Sequence, residues 1–215
     1  MPTYTSFQKA DLAGLTPFEM PSRLGTVCGL SSRHGFCFLT FGSWEQVLSS
    51  VSNAERRRLE PLLASLVGID GFGRCEQEPL ASWMSALQRY LARQTVDLPI
   101  PVDFRLCSSP FQKRVLAEMA KVGPGQTTTY GDLAHAVGRP TAARAVGRAV
   151  GSNPVALVLP CHRVLGKNGH LHGFAFGLDL KATLLGMEGL SIGENGKLAA
   201  VALKNITEAC QGTAL

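Results

Sequence analysis

Pro160-Cys161-His162-Arg163-Val164 sets a thiol directly beside an imidazole, just after the apolar run Val155-Ala156-Leu157-Val158-Leu159. A thiol attacks as its thiolate, and a neighbouring base or cation brings its pKa into a useful range. The preceding run is short, rich in β-formers and bounded by the Asn153-Pro154 turn, so it reads as a buried strand or extended segment. Cys161 would then stand where a rigid element ends, a position that holds a nucleophile still. Taken alone, the pair also fits an ordinary core cysteine, which behaves as a small hydrophobe. The flanking residues carry the further information.

Upstream lies a series of short helices. Ser109-Pro110 supplies an N-cap and first helical residue, with apolar residues at Phe111, Val115, Met119 and Val122, and Gly123-Pro124-Gly125 ends that helix. Thr129 caps a second helix with Asp132 three residues on, and Gly138 closes it. Arg139-Pro140 makes a turn, and Thr141 caps a third helix from Ala142 to about Gly151. Two short helices joined by a glycine-containing turn form a helix-turn-helix pattern. The third helix is rich in Ala and Gly, and Arg144 and Arg148 stand at i and i+4 on one face. That suits an element entering a DNA groove; it also suits a tightly packed core helix whose arginines reach solvent.

The earlier part reads as a small mixed domain. Thr26–Leu30 and Gly35–Phe41 are β-rich runs separated by Ser31-Ser32-Arg33-His34, a hairpin pattern. Ser43 with Gln46 marks a capped helix start, and Trp83, Leu87 and Leu91 give residues 81–91 a helical period. The proline-bearing stretch 97–103 reads as an interdomain connection.

Composition places this among soluble globular proteins: 45% hydrophobic and 17% charged residues over 215 positions. No apolar stretch approaches bilayer length and no signal peptide is evident, so no membrane association and a cytoplasmic location are expected. The cysteines at 28, 37, 75, 107, 161 and 210 have no framework spacing, which fits reduced thiols. Net charge is +5, and it is localised: residues 100–190 carry ten Lys/Arg against five Asp/Glu, whereas 1–99 and 191–215 balance. A basic segment beside a neutral one points to a polyanionic partner, nucleic acid first.

Ser109-Pro-Phe-Gln112, Thr128-Thr-Tyr-Gly-Asp-Leu-Ala134, Ala142-Ala-Arg-Ala-Val-Gly147, Ser152-Asn-Pro-Val155, Pro160-Cys-His-Arg-Val164 and Leu184-Leu-Gly-Met-Glu-Gly189 occur in that order. Together they resemble the O6-alkylguanine-DNA alkyltransferases, the methylated-DNA–protein-cysteine methyltransferases. The resemblance implies an α/β N-terminal domain with a small RNase H-like sheet over residues 1–95 and a linker at 96–103. A mostly α DNA-binding and catalytic domain would follow over 104–190, with a helix-turn-helix and a reactive-cysteine strand or loop. Residues 191–215 form a tail without a recognisable motif.

The implied function is direct DNA repair: irreversible transfer of an alkyl group from O6-alkylguanine, with O4-alkylthymine a further candidate, to Cys161 after nucleotide flipping. The implied partner is double-stranded DNA carrying the lesion, bound by a monomer without a cofactor; some relatives hold a metal in the N-terminal domain, but none is expected here. By the same resemblance His162 takes the thiol proton through a water, and Glu188 orients His162; on sequence alone Glu188 reads as a surface carboxylate near a helix end. Tyr130 would crowd the target phosphate and donate to guanine N3, Arg144 would fill the vacated stack, and Asn153 would tie the helix-turn-helix to the reactive strand. Carbonyls of Cys161 and Val164 and an amide near Ala175 would read the guanine. Gln112, Gly131, Arg148 and Lys167 join the implied DNA contacts.

Three departures stand out. Phe174 occupies a position where tyrosine is common and would still wall the pocket; Phe176 and Arg148 stand where glycine is common. Arg148 is expected to add a phosphate contact. Cys28, His34 and Cys37 form C-x5-H-x2-C, three ligands without zinc-finger spacing, and His170 and His172 read as solvated loop residues. The rival readings are a non-catalytic binder of alkylated DNA, whose known examples carry tryptophan for the cysteine, a cysteine hydrolase, and a helix-turn-helix transcription factor.

Overall fold

Alternating large apolar residues drive the first part of the chain into a small sheet. In the computed structural model, which describes residues 7, 11–64, 67–68, 78–193 and 195–199, strands β1 (Thr16–Met20), β2 (Val27–Ser32), β3 (Gly35–Phe41) and β4 (Val67–Gly68) lie in the order β3-β2-β1-β4. The pairs β1–β2 and β2–β3 are antiparallel, and β4 runs parallel to β1. The hairpin is tighter than its sequence suggests, because Ser31 and Ser32 continue β2 and leave Arg33-His34 as the turn. The polar Ser32 is tolerated in a buried position because its hydroxyl donates to Asp103 Oδ2 at 2.7 Å. Gly35, at φ 138°, closes this turn; a Cβ there would stand 2.1 Å from the Pro101 carbonyl oxygen.

That closeness reflects how the free edge of β3 is covered. Phe36 N–H donates to Pro101 O and Asp103 N–H to Phe36 O, both at 2.9 Å, so residues 101–103 lie along the sheet. Leu39 exchanges the same kind of bonds with Pro154 O and Ala156 N. Two single bridges thus protect an edge that would otherwise offer unpaired backbone.

Helix α1 (Trp44–Ser50) begins with the expected Ser43–Gln46 capping box. A second box, Ser52 with Glu55, opens α2 (Asn53–Leu63), which no apolar period announces. Helix α3 (Leu80–Leu91) buries Leu80, Met84, Leu87 and Leu91 on one stripe. Phe7, Leu30, Phe38, Trp44, Val47 and Leu59 form the core beside the sheet, with Cys28 and Cys37 inside it. Burial raises both thiols, Cys37 to about 12, which makes them inert packing residues.

The run 155–159 is buried apart from the half-buried Val158, but it is not the expected strand. Val155 alone makes a bridge, and residues 156–158 turn, with Leu157 at φ 70°. Asn153 is the physical reason. Its Oδ1 accepts from Val155 N at 3.0 Å, its Nδ2 donates to Leu159 O at 2.9 Å, and Leu159 N–H bonds back to Val155 O. Side-chain and local bonds therefore satisfy a buried backbone that a ladder would otherwise have to serve.

Contacts gather the chain into two units, Met1–Lys113 with Ser152–Leu159 and Arg114–Gly151 with Pro160–Leu215; the first division falls inside α4 (Pro110–Met119). That helix ends at Met119, before the expected glycines, because Lys121 N and Val122 N turn back to Glu118 O and Met119 O. In the second unit β5 (Thr128–Thr129) leads into α5 (Tyr130–Ala136), opened by the expected Thr129–Asp132 box. It closes on Gly138 at φ 72°, with Gly138 N bonded to His135 O and Arg139 N to Ala134 O. Helix α6 (Ala143–Gly151) starts one residue late: Ala142 O accepts from Val146 N, so Ala142 and not Thr141 holds the capping position.

Strand β6 (Val164–Leu165) and helix α7 (Leu178–Met187) complete the unit. Packing continues past residue 190, where Leu190 and Leu198 join Leu165 and Leu185 in a buried cluster and Ile192 bridges to Leu198. Cys75, Cys210 and residues 200–215 lie outside the described residues. Among the described residues no helix is long and apolar enough to cross a membrane.

Candidate active site

Short parallel pairing of β5 with β6, Thr128 opposite Val164 and Thr129 opposite Leu165, sets the start of α5 beside the segment that follows Cys161. Cys161–Arg163 itself is a single turn of 3₁₀ helix rather than a strand end, and all three residues are buried. Across from this turn α7 presents Lys181, Leu184, Leu185 and, at its C-cap, Glu188. The spacing i, i+3, i+4, i+7 puts all four on one buried stripe, so a cation and a carboxylate occupy positions where an amphipathic helix carries leucine.

Glu188 is therefore not the surface carboxylate that its position near a helix end suggests; its side chain is fully buried. His162 Nε2 lies 2.9 Å from Glu188 Oε1. Arg163 grips the same carboxylate, Nη2 to Oε1 at 2.8 Å and Nε to Oε2 at 3.0 Å, and its Nη1 donates to Val122 O. Gly125 N–H adds a weaker bond at 3.3 Å. Burial pulls the Glu188 carboxyl upward, but the hydrogen bonds and charges of His162 and Arg163 overcome it and hold it below the ordinary range.

Burial lowers His162, outweighing the hydrogen bond and charge of Glu188, which favour its protonation. The imidazole is thus neutral near pH 7. Because ionised Glu188 can only accept, Nε2 carries the proton and Nδ1 presents a lone pair. Among the described residues that Nδ1 has no hydrogen-bond partner. A buried, oriented, neutral base lies next in the chain to a buried thiol.

Tyr130 opens α5, half-buried, its hydroxyl 3.4 Å from the carbonyl oxygens of His172 and Gly173. Burial, and then the charge of a Cys161 thiolate, raise its pKa, so the phenol keeps its proton as a donor. Gly147 of α6 leaves room for this ring, since a Cβ there would just reach it at 3.9 Å. Gly131 follows in the same helical turn. Val164 is buried, and its carbonyl, expected to read guanine, already accepts from Lys181 Nζ at 2.6 Å. Lys181 Nζ also donates to His172 O at 2.8 Å and lies 5.9 Å from the Phe174 ring centre. Phe174 in turn meets Phe176 edge to face at 5.3 Å.

Gln112 departs from its expected place at a DNA surface. It is buried, its Oε1 accepts from Ser108 N and Oγ, and its Nε2 donates to Ser152 O and Oγ at 2.9 Å. It works as an internal strut, and Asn153 has the equivalent local role described above. Arg144, Arg148, Lys167 and Ala175 are exposed. Among the described residues no three His, Cys, Asp or Glu side chains gather as a metal site.

Arg163 and Lys181 are the site residues that sequence reasoning missed. For Arg163 the signal was weak, a cation next to a Cys-His pair. For Lys181 the one signal was its spacing, three and four residues before Leu184 and Leu185 and seven before Glu188.

Residues 110–190 match the family described as 6-O-methylguanine DNA methyltransferase, DNA binding domain. The Mycolicibacterium paratuberculosis methylated-DNA–protein-cysteine methyltransferase is 44% identical over 50% of this chain and 64% of its own length. The probable methylated-DNA–protein-cysteine methyltransferase of Acanthamoeba polyphaga mimivirus is 40% identical over 52% of this chain and 73% of its own. Among solved structures, the Mycobacterium tuberculosis O6-methylguanine methyltransferase superposes with a TM-score of 0.61 at 26% identity, covering 88% of this chain and 99% of that one. The M. tuberculosis OGT protein in complex with DNA gives 0.61 at 27%, covering 80% and 92%. Matched order, identity and fold agree with the buried Cys-His-Glu geometry, and this chain belongs to the methylated-DNA–protein-cysteine methyltransferase family.

Proposed function

We propose that the protein repairs double-stranded DNA by accepting the alkyl group of an O6-alkylguanine on Cys161, once per molecule. The observation that carries this reading is the buried Cys161–Arg163 turn, in which a neutral His162 is held by Glu188 with Nδ1 unprotonated. The thiol proton passes to that nitrogen through a water. The sulfur–carbon bond forms as the carbon–O6 bond breaks, and the electron pair stays on the guanine, which takes up a proton as Tyr130 donates to N3. A thioether carbon gives up thiolate poorly, so no easy second step regenerates Cys161.

The supporting elements follow from the same reading. Helices α5 and α6 act as a helix-turn-helix, with Arg144 entering the stack that the flipped guanine leaves and Arg148 and Lys167 on phosphates. Phe174 and Ala175 wall the pocket. Residues 1–95, with the four-stranded sheet, are read as the family's RNase H-like domain, 96–103 as the linker, 104–190 as the DNA-binding and catalytic domain, and the protein as a cytoplasmic monomer. The chemistry as proposed draws on side chains alone.

The test is stoichiometry. Mixing with an oligonucleotide duplex carrying O6-methylguanine should leave one methyl group on the Cys161 peptide by mass spectrometry and none on Cys161→Ser. Turnover beyond one lesion per molecule, or transfer by the serine variant, would refute the proposal.

A further inference from the structure

Lys181 is fully buried, yet among the described residues no carboxylate lies within ion-pair distance of it. It also sits in the first turn of α7, bonded through its backbone N–H to Gly177 O, at the end of a helix where a cation is disfavoured. A buried, unpaired charge is expensive, and a chain retains one where an opposite charge forms. The charges nearby are already accounted for. Arg163 and Glu188 cancel, bonded at 2.8 Å, and His162 is neutral because burial lowers its pKa. Tyr130 keeps its proton. His172, on the facing loop, offers Lys181 its backbone carbonyl, and Asp179, on α7 itself, is exposed. Cys161 is the acid left: it opens the 3₁₀ turn that α7 packs against and stands three residues before Val164, whose carbonyl holds Lys181 Nζ at 2.6 Å. A thiolate there favours the ammonium ion, against the burial that brings Lys181 down to about 8.

We propose that Lys181 is a positioning residue whose ammonium ion is the counter-charge of the Cys161 thiolate, while its bonds to Val164 O and His172 O hold both walls of the thiol's pocket in place. The inference rests on the alkyl-transfer reading above. It changes the part played by His162. The imidazole relays the thiol proton through water to solvent and returns to its neutral form, so the resting pair is thiolate with ammonium, not thiolate with imidazolium. One group then couples ionisation to shape, because the cation that favours the thiolate also fastens β6 to the loop through His172, with Phe174 beside it.

Labelling by iodoacetamide without DNA, followed at the Cys161 peptide by mass spectrometry across pH, reads the thiol's ionisation directly. The native protein should label with a midpoint below the value of about 8.5 for a free cysteine. Lys181→Met, and Lys181→Gln as a neutral variant that keeps hydrogen-bond donors, should raise the midpoint by about one pH unit or more. Near pH 7 that is roughly tenfold slower labelling, with the alkaline plateau preserved within about twofold. Lys181→Arg should restore the midpoint. An unchanged midpoint in the folded neutral variants, or a loss equal at every pH, would overturn the proposal. So would a native midpoint at or above about 8.5, which needs no variant to fold. Transfer from DNA with such a high midpoint would leave the proposed function standing and remove the ion pair; a low midpoint without transfer would do the reverse.

Discussion

Replacing Glu188 by glutamine probes the centre of the site with the least change of shape. Its carboxylate has a fully buried side chain and takes bonds from His162, both arms of Arg163 and the Gly125 N–H, while the Arg163 side chain is 9% exposed. A glutamine keeps one acceptor oxygen for these donors, sets an NH₂ against the rest, and leaves the Arg163 charge uncompensated. Breaking a buried pair from one side costs about 3–5 kcal/mol, against a total stability of order 5–15 kcal/mol for a domain. Both tryptophans, Trp44 and Trp83, belong to the first unit, so their fluorescence would miss the loss. Amide hydrogen exchange over residues 160–190, with urea unfolding followed by far-ultraviolet dichroism, reads the second unit. Acid adds a signature. The folded pKa of His162 lies below 6.5, so its contribution is present above that value and fades as pH falls through the folded value. That of Glu188 lies below 4.5 and is lost as pH falls through its own folded value. Glu188→Gln should keep the upper part of the acid loss and abolish the lower. A cost under about 1 kcal/mol, too small for a buried pair, or an intact lower part, would show that the bonds drawn here do not hold the site.

Gln112→Ala should destabilise the protein by about 1–3 kcal/mol through unpaired buried groups while leaving the salt dependence of DNA binding alone; a changed salt slope would return Gln112 to the DNA surface. Arg148→Ala should do the opposite, reducing the slope of log K against log salt by about 0.9 if it makes one phosphate contact, as measured by fluorescence anisotropy. Thr129→Ala removes the cap of α5 and should cost about 1 kcal/mol in urea unfolding; no loss would mean that Tyr130 is seated by the β5–β6 pairing alone. Cys28 and Cys37, both raised by burial and Cys37 to about 12, should resist iodoacetamide under native conditions near pH 8, and prompt labelling would contradict their place in the core.

Local chemistry was legible wherever it acts over a few residues. The capping boxes at Ser43 and Thr129, the glycine close of α5, the hairpin and the Cys161-His162 pair could all be read because each depends on neighbours in the chain. The helix α2 and the early end of α4 could not, since no apolar period marks the first and the second rests on i→i+3 bonds that compete with the glycine signal.

What the chain determined by itself was the candidate nucleophile, the order of the elements that carry it and the basic character of residues 100–190. Tertiary structure decided which charges share a dry interior. Glu188 and Gln112 look like surface groups along the chain, yet one orients His162 and the other braces Ser108 against Ser152. Lys181 looks like a solvated helix lysine, and it is sealed in the interior on the carbonyls of Val164 and His172. Hydropathy is a property of single residues, but burying a charge depends on partners from distant segments, and only the folded chain brings those partners together.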